Sequence, residues 1–181
     1  AQIELGRDVW TVAVSMLQLD IALSGQTIES IPREGPLIIV ANHPFGLLDG
    51  VVVCNLLSKR RQDFKILINR VLEQVEEIEP YLLPIDFSET KDAMRNNIES
   101  RRQAEKLLTE DGALIVFPSG GVSTGRPLGK AVDAEWKTFT AKLVQKTSAT
   151  VVPIYFHGQN SALFQVASRL SLTLRLSLLV K

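Results

Sequence analysis

The sequence predicts a single α/β domain, a largely parallel mixed sheet flanked by helices. Short apolar runs alternate along the chain with longer helical patterns, and turn-rich clusters of Gly, Pro, Asn and Ser follow three of those runs. Of 181 residues, 45% are hydrophobic and 22% charged, which supplies one core and exceeds what a disordered chain carries.

The first element is a helix over residues 4–23. Arg7, Thr11, Ser15 and Gln18 make a polar stripe about 80° wide at 100° per residue, and Val9, Trp10, Val14, Met16 and Leu17 fill the remainder. It reads as an N-terminal amphipathic helix (residues 1–25) packed on the core, ahead of the main domain (residues 26–181); lying in a membrane interface is the alternative. Arg7, Asp8 and Asp20 interrupt this stretch, the longest apolar one, so no run has the length to span a bilayer. The chain opens on Ala-Gln-Ile without a leader pattern, the start expected of a piece cut from a longer protein.

Strands are expected at residues 37–41, 64–68, 82–85, 113–117 and 150–156, where apolar runs are bounded by turn residues. Helices are expected at 48–59, 70–78, 91–109, 135–145 and 161–168. Residues 170–180 alternate Leu with Ser, Thr and Arg, which is a strand period, with a helix left open. Lys59-Arg60-Arg61 sits at a helix C-terminus, where cations are favoured; contact with lipid headgroups is the second reading. Lys91, Arg95, Arg102 and Lys106 share one face of the helix over 91–109, interrupted by Glu105, and take the same two readings, solvated face or headgroup contact.

Twenty basic and 20 acidic residues give a net charge of zero, which argues against a general nucleic-acid binder. A lone cysteine, Cys54, excludes an internal disulfide and a Cys-based zinc cluster, and fits a reducing compartment. His43 and His157 are the only imidazoles.

Asn42-His43-Pro44-Phe45-Gly46, Pro118-Ser119-Gly120-Gly121 and His157-Gly158-Gln159-Asn160 each follow a predicted strand. In a parallel sheet they line the carboxyl edge, where ligands bind. Pro44 and Gly46 force a turn that lets Asp49, at the start of the next helix, approach His43; a carboxylate beside an imidazole makes a general base. Each has a plainer reading, Asp49 as a helix cap and His43 as a bonded turn histidine. Ser119, Gly120 and Gly121 form a turn able to offer N–H groups to an anion. Ser119 lacks the Gly-x-Ser-x-Gly elbow of a serine hydrolase, since Phe117 holds the first Gly position and Pro118 follows it. Two histidines and Asp49 are a conceivable metal set, but the spacing is not diagnostic and no metal is assigned.

These blocks resemble the glycerolipid (lysophospholipid) acyltransferase superfamily: Asn42-His43…Asp49, Phe117-Pro118-Ser119-Gly120-Gly121-Val122-Ser123, Val152-Pro153, and the Ile31-Pro32-x-x-Gly35-Pro36 lead-in, in the family's order over roughly residues 30–160. The resemblance implies the family's fold and O-acyl transfer of the 1-acylglycerol-3-phosphate acyltransferase kind. His43 would be the general base on a lipid hydroxyl and Asp49 its orienter, with Asn42, Phe45, Gly46, Ser119, Gly120 and Gly121 at the substrate. It implies acyl-CoA or acyl-carrier protein as co-substrate, no cofactor, and a peripheral place on the inner, cytoplasmic face of the cell membrane. Departures are informative. The His-to-Asp gap holds five residues where the family has four, Ser119 replaces a Glu, Val122 replaces an Arg, and Leu83-Pro84-Ile85-Asp86-Phe87 lacks the Arg expected there. Two phosphate-binding cations are thus missing, and the acceptor expected is neither lysophosphatidic acid nor glycerol 3-phosphate. Asn-His-Pro-Phe-Gly-x-x-Asp-Gly looks like the bacterial hemolysin-like, lyso-ornithine-lipid acyltransferase subgroup. A non-catalytic lipid- or carrier-binding protein and a thioesterase are the competing readings.

Overall fold

A computed structural model describes residues 8–70, 76–86, 90–125 and 129–161. Strands β1 (Leu37–Ala41), β2 (Phe64–Asn69), β3 (Leu82–Ile85), β4 (Ala113–Val116) and β5 (Thr150–Ile154) pair side by side in the order β3-β2-β4-β1-β5. Every pairing is parallel, so the sheet is wholly parallel among the described residues. β1 (LIIVA) and β4 (ALIV) lie inside the sheet and are buried along their whole length. Their sequences do not alternate because both faces are covered.

Helices α1 (Val9–Met16) and α2 (Leu47–Ser58) cover one face, and α3 (Lys91–Thr109) and α4 (Phe139–Thr147) the other. On the first face Leu37, Ile39 and Ile115 meet Trp10, Val53 and Leu57. On the second Ile38, Val40 and Leu114 meet Ala104, Leu108 and Leu143. Burying each such Leu, Ile or Val contributes roughly 1.5–3 kcal/mol. Asp8 starts α1 by accepting the Thr11 N–H at 3.2 Å, and the Ser58 hydroxyl of α2 donates to the same carboxylate at 2.8 Å. No helix among the described residues is long and apolar enough to cross a membrane.

Several expectations are corrected. α1 ends at Met16 instead of residue 23, because Gln18 turns to φ +52 and the Gln18 and Leu19 N–H groups close back on the Ser15 and Val14 carbonyls. Gln18 therefore lies beyond the polar stripe, and Arg7 falls outside the described residues. Of the helix expected over 70–78, residues 71–75 lie outside the description, and Glu76–Tyr81 is a 3-10 segment. α4 starts at Phe139, four residues late, since the Lys137 N–H is committed to the Pro118 carbonyl at 3.0 Å. β2 runs one residue longer than expected, while β4 and β5 stop at Val116 and Ile154. The elements expected at 161–168 and 170–180 lie outside the described residues from 162 onward.

Two cations of the Lys59-Arg60-Arg61 run are engaged within the protein. Arg60 donates to the Ile31 and Glu29 carbonyls. Arg61 is buried and ties Asp63 (2.7 and 2.6 Å), the Gly35 carbonyl (2.9 Å) and the Asp111 carbonyl together at the amino edge of the sheet.

Candidate active site

The register sets the site's position. Val40 pairs Val116 and Ala41 pairs Ile154, so the chain leaves β1, β4 and β5 at neighbouring points of the carboxyl edge. The three sequence clusters emerge there together.

After β1 the backbone turns through Gly46 at φ +73, a conformation glycine adopts without a Cβ penalty, and enters α2. Asp49 is the third residue of α2, and its Oδ2 accepts the Phe45 N–H at 2.8 Å and the Gly46 N–H at 2.9 Å. A carboxylate in the first turn also meets the positive end of the helix dipole. Asp49 is 1% exposed, and its other oxygen, Oδ1, has no partner among the described residues.

The same Oδ2 lies 3.0 Å from His43 Nδ1. The two atoms are within hydrogen-bonding distance but lack the alignment of a hydrogen bond. Such contacts commonly tighten when substrate binds. Phe117 stacks on the imidazole at 4.1 Å between centroids. With Nδ1 buried at the carboxylate and the side chain 17% exposed, Nε2 is the nitrogen open to an incoming group.

Neighbouring loops hold this turn. The Asn42 side chain donates to the Phe156 carbonyl (2.9 Å) and accepts its N–H (2.7 Å), extending the β1–β5 pairing by one side chain. Asn160 donates to the Pro44 carbonyl at 2.9 Å. Phe45 rests against Gly158, where a Cβ would come within 3.0 Å of its ring. The Asp133 carboxylate accepts the His43 N–H at 3.1 Å, and the Ser123 N–H donates to the His43 carbonyl at 2.8 Å.

In the Gly-rich block, the buried Ser119 hydroxyl donates to the Gly121 carbonyl at 2.9 Å. Gly120, at φ +70, uses its N–H on the Phe117 carbonyl. The Gly121 N–H has no partner among the described residues. His157 packs edge-on against Tyr155 at 4.8 Å, and no group of three His, Cys, Asp or Glu among the described residues is placed to hold a metal. Asp133 and Trp136 escaped the sequence reading, because they carry no motif and residues 135 onward were expected to be helical.

The sequence matches a family model described as Acyltransferase over residues 9–180. Two curated proteins named lyso-glycine lipid O-acyltransferase are similar. The one from Phocaeicola vulgatus is 30% identical over 89% of this chain and 55% of its own length. The one from Bacteroides thetaiotaomicron is 32% identical over 89% of this chain and 57% of its own length. The chain thus spans little more than half of these relatives. Among solved structures, the 1-acyl-sn-glycerophosphate (LPA) acyltransferase PlsC from Thermotoga maritima superposes with a TM-score of 0.52 at 24% identity, over 80% of this chain and 52% of PlsC, which is a likeness of fold.

Proposed function

The chain belongs to the acyltransferase family, and on that premise we propose that it moves a fatty-acyl group from an acyl thioester to the hydroxyl of a lyso-lipid. The observation that carries this is the His43–Asp49 contact of 3.0 Å at the carboxyl edge of the sheet, with Nε2 left open. His43 takes the acceptor's hydroxyl proton at Nε2 as the oxygen attacks the thioester carbonyl. The charge that appears on the ring is stabilised by Asp49 at Nδ1. When the tetrahedral intermediate collapses, the C–S bond breaks and the thiolate leaves with the proton from His43. The Ser119 and Gly121 N–H groups, which have no partner among the described residues, are the donors of this turn for the developing oxyanion.

The acceptor we propose is a lyso-lipid without a phosphate monoester, consistent with the lyso-glycine lipid in the relatives' names. Val122 is buried, and the residue that follows β3 is Asp86. A cavity of about 350 Å³ beside β3 and α3 is lined by Arg70 but also by Glu79, Asp86 and Glu99, a poor host for a dianion. The donor is acyl-CoA or acyl-carrier protein; both are cytoplasmic, which places the reaction at the inner face of the membrane. A lipid surface is also favoured by α3, whose Met94 and Ile98 are 58% and 66% exposed beside Lys91 and Arg95, both without ion-pair partners among the described residues.

The test offers labelled acyl-CoA and acyl-carrier protein to a panel of lyso-lipids, with wild type and His43→Ala. Transfer to an amino-acid lyso-lipid that drops by about 10²–10⁴-fold in the variant is expected of a lost general base. Preference for lysophosphatidic acid overturns the acceptor. Release of free fatty acid alone makes the protein a thioesterase, and lipid binding without turnover makes it a binding protein.

A further inference from the structure

We propose that Asp133 is a positioning residue for His43: its carboxylate, with Ser123, holds the His43 peptide from both sides and so fixes where the imidazole points. The inference rests on the reading of His43 as the general base.

His43 stands where the chain has left the sheet. The last β1 residue with a strand partner is Ala41, opposite Ile154, so no ladder bond restrains the backbone at position 43. Its two peptide groups are instead held by one segment. Asp133 Oδ1 accepts the His43 N–H at 3.1 Å, and the Ser123 N–H donates to the His43 carbonyl at 2.8 Å. The Ser123 hydroxyl donates to the same Oδ1, while Oδ2 accepts the Trp136 indole N–H at 3.0 Å. Three donors thus surround one carboxylate, and bonds to a charged acceptor are the stronger kind.

The segment is closed on itself. Thr124 and Val132 exchange N–H···O bonds of 3.1 Å each way. Gly125 lies so near the opposite backbone that a Cβ would stand 2.5 Å from the Lys130 carbonyl. Both ends of this loop therefore reach His43 as one unit, Ser123 from one arm and Asp133 from the other. Fixing N–H and C=O on both sides fixes the Cα–Cβ direction. The ring's 3.0 Å approach to Asp49 and its 4.1 Å stack on Phe117 depend on that direction. A misplacement of about 1 Å is enough to cost roughly 10²-fold in rate.

The two substitutions separate the roles. Asp133→Ala removes the acceptor of all three bonds. Asp133→Asn keeps an oxygen for His43 and Ser123 but turns an NH₂ toward the Trp136 N–H, donor against donor. The experiment measures, in the full chain, denaturant unfolding, kcat and KM with the acyl donor and lyso-lipid that wild type uses, and the imidazole NMR signals of His43 and His157, assigned with His43→Ala. For folded Asp133→Ala we expect kcat to fall by about 10–100-fold with KM nearly unchanged. Asp133→Asn should recover part of the loss. The His43 signals should move while those of His157 stay. Wild-type kcat in folded Asp133→Ala, or a loss confined to KM, overturns the proposal. If wild type transfers no acyl group, the functional reading fails separately, and unmoved His43 signals in Asp133→Ala still end the positioning role. Should Asp133→Ala not fold, Asp133→Asn decides: unchanged kcat and unchanged His43 signals together overturn it.

Discussion

Asp49 serves two purposes that one pair of substitutions can pull apart. Its Oδ2 accepts the Phe45 and Gly46 N–H groups at 2.8 and 2.9 Å, and faces His43 Nδ1 at 3.0 Å. Asp49→Ala leaves two loop N–H groups unsatisfied, at about 1–3 kcal/mol each, so about 2–6 kcal/mol is lost. That is a large share of the roughly 5–15 kcal/mol that holds a domain folded. Inactivity of this variant would therefore say little about chemistry. Asp49→Asn is different. Its amide oxygen can keep both N–H bonds, and its NH₂ takes the place of the unpartnered Oδ1. Exchanging a charged acceptor for a neutral one costs about 1 kcal/mol per bond, about 2 kcal/mol in all. Part of this is offset by no longer burying a charge. The loop should persist, but the charge that stabilises the imidazolium is gone. We expect urea unfolding to place Asp49→Asn within about 2 kcal/mol of wild type. Its kcat for acyl transfer should fall by about 10²–10⁴-fold. Full turnover in a fully stable Asp49→Asn would refute the catalytic role and leave Asp49 as a staple of the turn.

Two further outcomes follow from other parts of the molecule. Asp63 is held below the ordinary aspartate range, first by the hydrogen bonds from Arg61 and then by its charge. A lowered folded pKa adds stability that is complete above the unfolded value of about 3.9 and disappears as pH falls through the folded value. Asp63 is 56% exposed, so the contribution is screened to about 1 kcal/mol or less. The urea midpoints of wild type and Asp63→Asn should differ most near neutrality and converge below pH 4 or so, whereas parallel curves would remove this linkage. Gly158 sits at φ +105 with Phe45 Cζ 3.0 Å from the position of a Cβ. Gly158→Ala should cost about 1–3 kcal/mol in backbone strain and push Phe45, hence the His43 turn, out of place. The check is kcat beside thermal unfolding, and an unaltered kcat would mean that the turn does not feel Phe45.

What the sequence made legible was local. β1, β3 and α3 lie where unbroken apolar runs or a helical period, bounded by turn residues, put them. The nearness of His43 and Asp49 could be read because Pro44 and Gly46 lie between them. What was hidden is non-local. The apolar pattern of α1 continues past Met16, and only the reversal at Gln18 ends it. Arg61 looked like a surface cation because nothing in its neighbours reveals that the Gly35 and Asp111 carbonyls converge on it once the sheet forms. Asp133 is 90 positions from the His43 backbone it holds, and gains its role only after β1 and β4 have paired.

The five-residue gap between His43 and Asp49 bears on how strict such a pattern needs to be. A residue more than the family's spacing ought to carry the carboxylate past the ring. It does not, because the two ends are fixed by different elements: His43 by the end of β1 and the loop from Ser123 to Asp133, Asp49 by the first turn of α2. The slack is taken up between them. Gly46 at φ +73 folds the chain back, and Oδ2 gathers the Phe45 and Gly46 N–H groups, so the added length lies in a turn wrapped around the carboxylate. The requirement is thus geometric: a histidine at a strand end, an aspartate in the next helix's first turn, and a glycine able to reverse the chain between them. That same wrapping spends Oδ2 on the loop and leaves Oδ1 buried, with no partner among the described residues.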